Sequence, residues 1–258
     1  MTIAFFDSGI GGITVLSEAV KQLPQENFLY FADTLHVPYG TKSKAQVMEY
    51  VQESAARIMR EEVQALVIAC NTATSIAAAE LRKIYSIPII GMEPAVKPAV
   101  EMNRNSGKRV LVFATPLTLT QSKYNELVAR VDDHGSVDSL PLPELVGYCE
   151  NLNFDRAEMT DYFAGKLASF DLNAYGTVVL GCTHYPFYKG ILREILPEHI
   201  EIIDGSRGTV SRLRSVLGLK EAGTGDSRGR IQFMCSSDDA AYITKMEKAF
   251  ELFTCLEG

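Results

Sequence analysis

The chain has 258 residues, 47% of them hydrophobic and 22% charged, with a net charge of −7, proportions that suit one large globular domain or two smaller ones. The acidic balance, with no Lys/Arg cluster, argues against a nucleic-acid footprint, so no direct nucleic-acid partner is expected. No apolar run approaches the roughly 20 residues of a membrane span, and the apolar stretch at 3–6 meets Asp7 too soon for a signal-peptide core.

Taken in order, residues 3–6 read as a short strand that ends in Asp7-Ser8-Gly9-Ile10-Gly11-Gly12. Ile13, Leu16, Val20 and Leu23 then recur at helical spacing until Pro24. A strand over 28–32 leads into a loop containing Val37-Pro38-Tyr39-Gly40. Ser43 with Gln46 has the spacing of a capping box and opens a helix through Val47, Val51 and Ile58. The apolar run Leu66-Val67-Ile68-Ala69 stops at Cys70, a helix follows to near Tyr85, and Ile89-Ile90-Gly91 is another strand. Alternating strands and helices predict a parallel sheet flanked by helices.

The polar break at 103–107 marks a candidate domain boundary. A strand over 109–114 ends at Thr115-Pro116, and one helix is predicted through Leu119, Tyr124, Leu127 and Val128. A strand at 137–140 meets Pro141 and Pro143, and 155–170 reads as a helix with Met159, Phe163 and Leu167 inward. Val178-Val179-Leu180-Gly181 then stops at Cys182, followed by Thr183-His184-Tyr185-Pro186 and a helix ending at Pro197. The remainder supplies a strand at 201–203, a helix through Val210 and Leu217, a glycine-rich hairpin-like loop at 218–229, a strand at 231–234 and a last helix through Met246 and Phe253.

The two cysteine runs read as versions of one another. Sixty-three positions separate Asp7 from Cys70, and sixty-seven separate Thr115 from Cys182. Each half has a strand ending in a polar residue and, one helix-strand-helix later, a strand ending in a cysteine. This predicts an internal duplication with both thiols at carboxyl strand ends, where open α/β sheets bind ligands. The expected fold is two similar parallel-sheet α/β domains facing each other across a cleft.

The five cysteines are odd in number and widely spaced, with no C-x-x-C, which fits reduced thiols in a cytoplasm. A single free cysteine is most often a packing residue, and Cys149, Cys235 and Cys255 are read that way. Cys70 and Cys182 each precede a predicted helix start, which lowers a thiol pKa. Gly9, Gly11 and Gly12 make only a weak dinucleotide motif; Ser8 with free backbone amides better suits a small anion, and a plain tight turn is the alternative. His184 is a proton partner for Cys182, a substrate-polarising acid or a satisfied side chain. Cys70, Cys182 and His184 are zinc-ligand types, but C-x-H is not structural-zinc spacing, and no metal is expected. Glu144 and Glu150 flank the proline break as ordinary carboxylates.

Five motifs together, Asp7-Ser8-Gly9-Ile10-Gly11-Gly12, Val37-Pro38-Tyr39-Gly40, Ala69-Cys70-Asn71-Thr72-Ala73, Glu93-Pro94-Ala95-Val96-Lys97-Pro98 and Leu180-Gly181-Cys182-Thr183-His184, resemble the glutamate racemases of bacterial cell-wall synthesis in order and spacing from residue 3 to about 207. The resemblance implies a cofactor-independent racemase, with residues 1–97 plus 208–258 as one domain and 98–207 as the other. It implies glutamate as substrate, a homodimer, a cytoplasmic location and a supply of D-glutamate for peptidoglycan and cell shape. By the same resemblance Asp7, Ser8, Pro38, Tyr39, Gly40, Asn71, Thr72, Thr115, Thr183 and His184 line the substrate. Asp7 would assist Cys70, and His184 with a glutamate would assist Cys182. Pro143-Glu144-Leu145-Val146-Gly147-Tyr148-Cys149-Glu150 fits the family's Pro-x-Phe-Val-x-x-Val-Glu loosely, which favours Glu150 over Glu144. Aspartate and hydantoin racemases share paired cysteines but not the full set, and a non-catalytic amino-acid-binding protein is the rival from another class.

A racemase must take the α-proton from one face and return one to the other. Two groups on opposite sides do this without turning the carbanion over, and a thiol near its own pKa suits both roles. With no electron sink, hydrogen bonds and exclusion of water must stabilise the carbanion.

Overall fold

The computed structural model describes residues 2–219 and 228–256. The first run of elements is β1 (Thr2–Asp7), α1 (Ile13–Gln22), β2 (Asn27–Ala32), α2 (Lys44–Ile58), β3 (Val63–Ile68), α3 (Asn71–Ile84) and β4 (Ile89–Gly91). The chain continues through α4 (Val96–Asn103), β5 (Arg109–Ala114), α5 (Pro116–Thr120), α6 (Ser122–Val131), β6 (Val137–Pro141), α7 (Glu144–Glu150) and α8 (Arg156–Leu167). It ends with β7 (Tyr175–Leu180), α9 (Lys189–Ile195), β8 (Glu201–Asp204), α10 (Ser206–Leu217), β9 (Ile231–Cys235) and α11 (Ala240–Leu256). Most of the glycine-rich loop expected at 218–229 lies outside the described residues.

Among the described residues every ladder is parallel, in two sheets of order β4-β3-β1-β2-β9 and β6-β5-β7-β8. Read in the opposite sense, the second order becomes β8-β7-β5-β6, the same permutation as β4-β3-β1-β2. The correspondence reaches single bonds. Ala69 N–H donates to Phe6 O at 2.8 Å and Gly181 N–H donates to Phe113 O at 2.7 Å, each just before its cysteine. This is the duplication expected from the paired cysteine runs. In both sheets the chain reverses direction of winding at the central strand, so β1 with β3, and β5 with β7, open a crevice at their carboxyl ends.

Alternation within strands sorts the core into layers. Ile3 and Phe5 face one side of the first sheet, Ala4 and Phe6 the other, where α2 and α3 pack. In the second sheet Val110 and Val112 meet α4 and α6, while Leu111 and Phe113 point the opposite way. The layers under α1, α10 and α11 and under α7, α8 and α9 merge into one apolar cluster, so a single core spans both sheets. No helix among the described residues is long and apolar enough to cross a membrane.

Local signals were mostly honoured. Asp155 caps α8 through Glu158 N–H at 2.9 Å, and Met159, Phe163 and Leu167 are buried as expected. Two helices differ from expectation. The single helix predicted after Thr115 breaks at Gln121, whose backbone is extended, into α5 and α6. Thr120 Oγ1 and Gln121 Nε2 both donate to Leu117 O, at 3.0 and 3.1 Å, so side chains satisfy the carbonyl at the break. After Cys182 the chain makes a 3₁₀ turn (Tyr185–Tyr188) before α9, with Pro186 in its first turn.

The predicted capping box is formed: Gln46 N–H donates to Ser43 Oγ at 3.3 Å and Ser43 N–H to Gln46 Oε1 at 3.1 Å. Ser43→Ala is expected to cost about 1 kcal/mol of unfolding free energy, read as a lower urea midpoint with unchanged slope; an unchanged midpoint would contradict this role of the cap.

Candidate active site

The carboxyl ends of β1, β3, β5 and β7 converge on a narrow cavity. Its free space, about 10 Å³, lies far below the roughly 300–1,000 Å³ typical of small-molecule sites, so the cavity is all but closed around its lining. Ser8, Pro38, Tyr39, Gly40, Cys70, Asn71 and Thr72 line it from the first half, and Thr115, Cys182, Thr183 and His184 from the second. Val146 and Gly181 also line it and were not anticipated. Gly181 adjoins Cys182, and Val146 lies one helical turn before Glu150 on α7, so both follow from residues already singled out.

The two thiols differ in their surroundings. Cys70 is the N-cap of α3, and its sulfur accepts from Ala73 N–H at 3.4 Å. The helix start alone was expected to lower its pKa. Burial and the Asp7 carboxylate instead push the thiol well up, against the opposing pull of the Ala73 and Ser8 hydrogen bonds. Cys182 has no α-helix start behind it, because the 3₁₀ turn intervenes. Its partner is His184, whose Nδ1 lies 3.8 Å from the sulfur.

Behind His184 stands Glu150. Its Oε1 accepts from His184 Nε2 at 2.8 Å and from Ile10 N–H at 2.8 Å. Burial would raise the carboxyl, but His184, the Tyr242 hydroxyl and the Ile10 amide outweigh it and hold it down at about 2. Burial likewise opposes charge on His184, yet its bonds to Cys182 and Glu150 lift it well above the ordinary histidine value. Glu144 faces away, joined to Tyr162 Oη at 2.8 Å and Lys166 Nζ at 3.0 Å.

Asp7 is fully buried just behind the lining, accepting from Gly9 N–H at 2.9 Å and Thr183 Oγ1 at 3.0 Å. Burial raises its pKa, and the charge of His184 and those hydrogen bonds only partly compensate. The glycine loop therefore binds carboxylates, as expected of its free amides, but they are the chain's own: Gly9 N–H holds Asp7 and Ile10 N–H holds Glu150. Glycine is required there by contact. A Cβ on Gly9 would run into the Glu150 carboxylate, and one on Gly11 would stand 2.6 Å from His184 Cε1 and from Thr183 Oγ1.

On the other side, Tyr39 Oη donates to Asp33 at 2.6 Å. Thr72 and Thr115, one from each half, join through their hydroxyls at 3.1 Å, and both bond Thr118, at 2.9 and 3.0 Å. Asn71 is different: both polar atoms of its buried side chain lack a hydrogen-bond partner among the described residues. A buried amide left this way is costly unless a ligand completes it. Among the described residues no group of three or more His, Cys, Asp or Glu is arranged to hold a metal ion.

Paired thiols at equivalent strand ends of a duplicated α/β fold point to one class of protein. The chain belongs to the Asp/Glu/Hydantoin racemase family, whose model matches residues 14–213. Within it, the chain is 50% identical over 239 residues to the glutamate racemase of Halothermothrix orenii, spanning 92% of this chain and 93% of that protein. It is 48% identical over 255 residues to glutamate racemase 2 of Bacillus subtilis, spanning 98% and 96% of the two. Among solved structures, Escherichia coli glutamate racemase in complex with L-glutamate and the activator UDP-MurNAc-Ala matches with a TM-score of 0.81 at 28% identity, over 96% of this chain and 94% of that one.

The Glu150–His184 pair has a defined pH signature. His184, raised above 6.5, contributes stability that is complete below that value and is lost as pH rises through its folded pKa. Glu150, lowered from 4.5 to about 2, contributes stability complete above 4.5 and lost as pH falls toward 2. Nitrogen NMR at pH 7 is expected to show both ring nitrogens of His184 protonated, and a smaller protonated fraction in Glu150→Gln, where the Cys182 contact alone is left to raise the ring. The stability gap between the native chain and His184→Asn should be widest between pH 4.5 and 6.5 and shrink above it.

Proposed function

We propose that this protein interconverts L- and D-glutamate without a cofactor, Cys70 and Cys182 exchanging protons at opposite faces of the substrate α-carbon. The reading is carried by the pair of thiols lining one narrow cavity from corresponding strand ends, beside the unpartnered amide of Asn71. The choice of glutamate is supported by relatives of that name at 50% and 48% identity over nearly the whole chain. Related enzymes from Escherichia coli and Francisella tularensis were solved with L-glutamate and D-glutamate respectively.

In this reading each direction needs one thiolate and one thiol. Burial and Asp7 keep Cys70 protonated, so it is the acid. The Cys182–His184 contact holds a proton within reach of the second sulfur, so Cys182 is the base. A turnover that starts at Cys182 leaves Cys70 as the thiolate and the roles exchanged, and the next enantiomer is handled from the other face. A substrate ammonium brings a cation into the cavity and eases the cost of a Cys70 thiolate. Thr72, Thr115, Thr183 and Asn71 supply hydrogen bonds to the substrate, and the narrowness of the site excludes the water that would compete with them.

Under the same proposal, residues 1–97 with 208–258 and residues 98–207 act as two domains closing on substrate. The protein works in the cytoplasm as a homodimer and supplies D-glutamate for peptidoglycan.

Circular dichroism of L- or D-glutamate incubated with the protein alone is expected to decay to zero, while aspartate and hydantoins stay unchanged. In deuterium oxide the product enantiomer should carry deuterium at Cα. Cys70→Ala and Cys182→Ala should each lower turnover by about 10²–10⁴-fold or more in both directions; either variant racemising at the normal rate would refute the two-thiol mechanism. Gly11→Ala should also be severely impaired, because its methyl group displaces the His184 ring.

A further inference from the structure

The last helix, α11, contributes nothing to the lining of the cavity, yet it grips the group behind His184. Tyr242 Oη donates to Glu150 Oε2. Lys245 Nζ donates to the Glu150 backbone carbonyl at 2.9 Å and lies 3.4 Å from Oε2. The same ammonium sits 3.7 Å from the centre of the Tyr242 ring, which ties the two side chains together. Each carboxylate oxygen is thus committed: Oε1 to Ile10 N–H and His184 Nε2, Oε2 to the two residues of α11.

A carboxylate held on one edge only can rotate about its last bond, and the imidazole bonded to it would follow. With both edges held, the direction of His184 Nε2–H is set, and with it the aim of Nδ1 at the Cys182 sulfur. Among the described residues the charged groups around Glu150 are few. His184 faces it from the loop after β7, Lys245 from α11, and Asp7 from the end of β1, with Tyr242 and the Cys149 thiol as neutral neighbours. Burial and the adjacent carboxylate keep the Tyr242 hydroxyl protonated, so it remains a donor. Lys245 is the cation that α11 brings to this group.

We propose that Tyr242 and Lys245 are positioning residues for the Cys182 half of the reaction, holding Glu150, and through it His184, in the orientation that lets Cys182 exchange its proton. The inference rests on the two-thiol reading and adds to it that the C-terminal helix governs one thiol and not the other. Cys70 has its own support in Asp7, Ser8 and the Ala73 amide, and among the described residues Asp7 hydrogen-bonds Gly9 and Thr183 rather than α11. The helix itself is anchored by buried Met246, Ala249 and Phe253, so changes at 242 and 245 leave it docked.

The test uses Tyr242→Phe, Lys245→Met, the double variant and Lys245→Arg in the full-length protein. Alkylation by iodoacetamide is followed against pH and resolved by mass spectrometry into Cys70 and Cys182. The expected result is a displaced profile for Cys182, an unmoved profile for Cys70, and restoration by Lys245→Arg. Turnover of glutamate should fall by up to about 10²-fold with KM little changed. The ratio kcat/KM must fall equally in both directions, because the equilibrium constant of a racemisation is one. Profiles that move together, or do not move at all, would overturn the proposal; that outcome is distinct from failure of the two-thiol reading, which would appear as full activity in a cysteine variant.

Discussion

One buried carboxylate joins the parts on which the site depends. Glu150, from the second half, accepts the Ile10 amide of the first half, the imidazole of His184 and two donors from the last helix. Such a group is tolerated in a protein interior only when every lone pair is used. Breaking a buried ion pair so that one charge is left unpaired costs about 3–5 kcal/mol in comparable cases; with four donors, Glu150 keeps compensation when any one of them is removed. The glycines at 9 and 11 are the other half of this arrangement. Only their missing side chains let the carboxylate and the imidazole approach the loop.

The duplication explains why there are two thiols and why they are unequal. The same strand permutation places a cysteine two residues beyond β3 and two beyond β7, each strand continued by one backbone bond to its neighbour. The segments after the two cysteines differ. An α-helix begins at Cys70, whereas a 3₁₀ turn carrying His184 succeeds Cys182. One sulfur therefore leans on backbone amides and a neighbouring carboxylate, the other on an imidazole backed by a carboxylate. Under the proposed two-thiol reaction, a proton exchanged between such sites would meet different surroundings on its two sides, while the overall equilibrium between enantiomers would stay even.

A single apolar core under both sheets shapes how the halves relate. The polar contacts across the cavity, among them Thr72 to Thr115 and Asp7 to Thr183, are side-chain bonds between the halves above that shared layer. Thr14 adds a further tie, donating to Gly11 O at 3.0 Å within 3.2 Å of Thr183 O. The arrangement concentrates rigid, water-poor contacts where charge would develop on a substrate.

The sequence alone determined the parallel α/β class, the paired cysteine strands and most helix boundaries, because these follow from apolar periodicity and caps that act over a few residues. The capping box at Ser43 and the inward face of α8 were legible for that reason. Where several signals of equal strength met, as at Thr120 and Gln121, local reading joined two helices into one. A loose motif match already favoured Glu150 over Glu144 as the neighbour of His184; the fold adds the reason, since both lie on one short helix whose packing turns Glu150 toward the imidazole and Glu144 toward Lys166. The tertiary structure alone decided that the glycine loop holds the chain's own carboxylates, that Cys70 is pushed up rather than down, and that α11 reaches Glu150. Those outcomes depend on burial and on contacts between residues far apart in the chain, and neither is written in the spacing of neighbours.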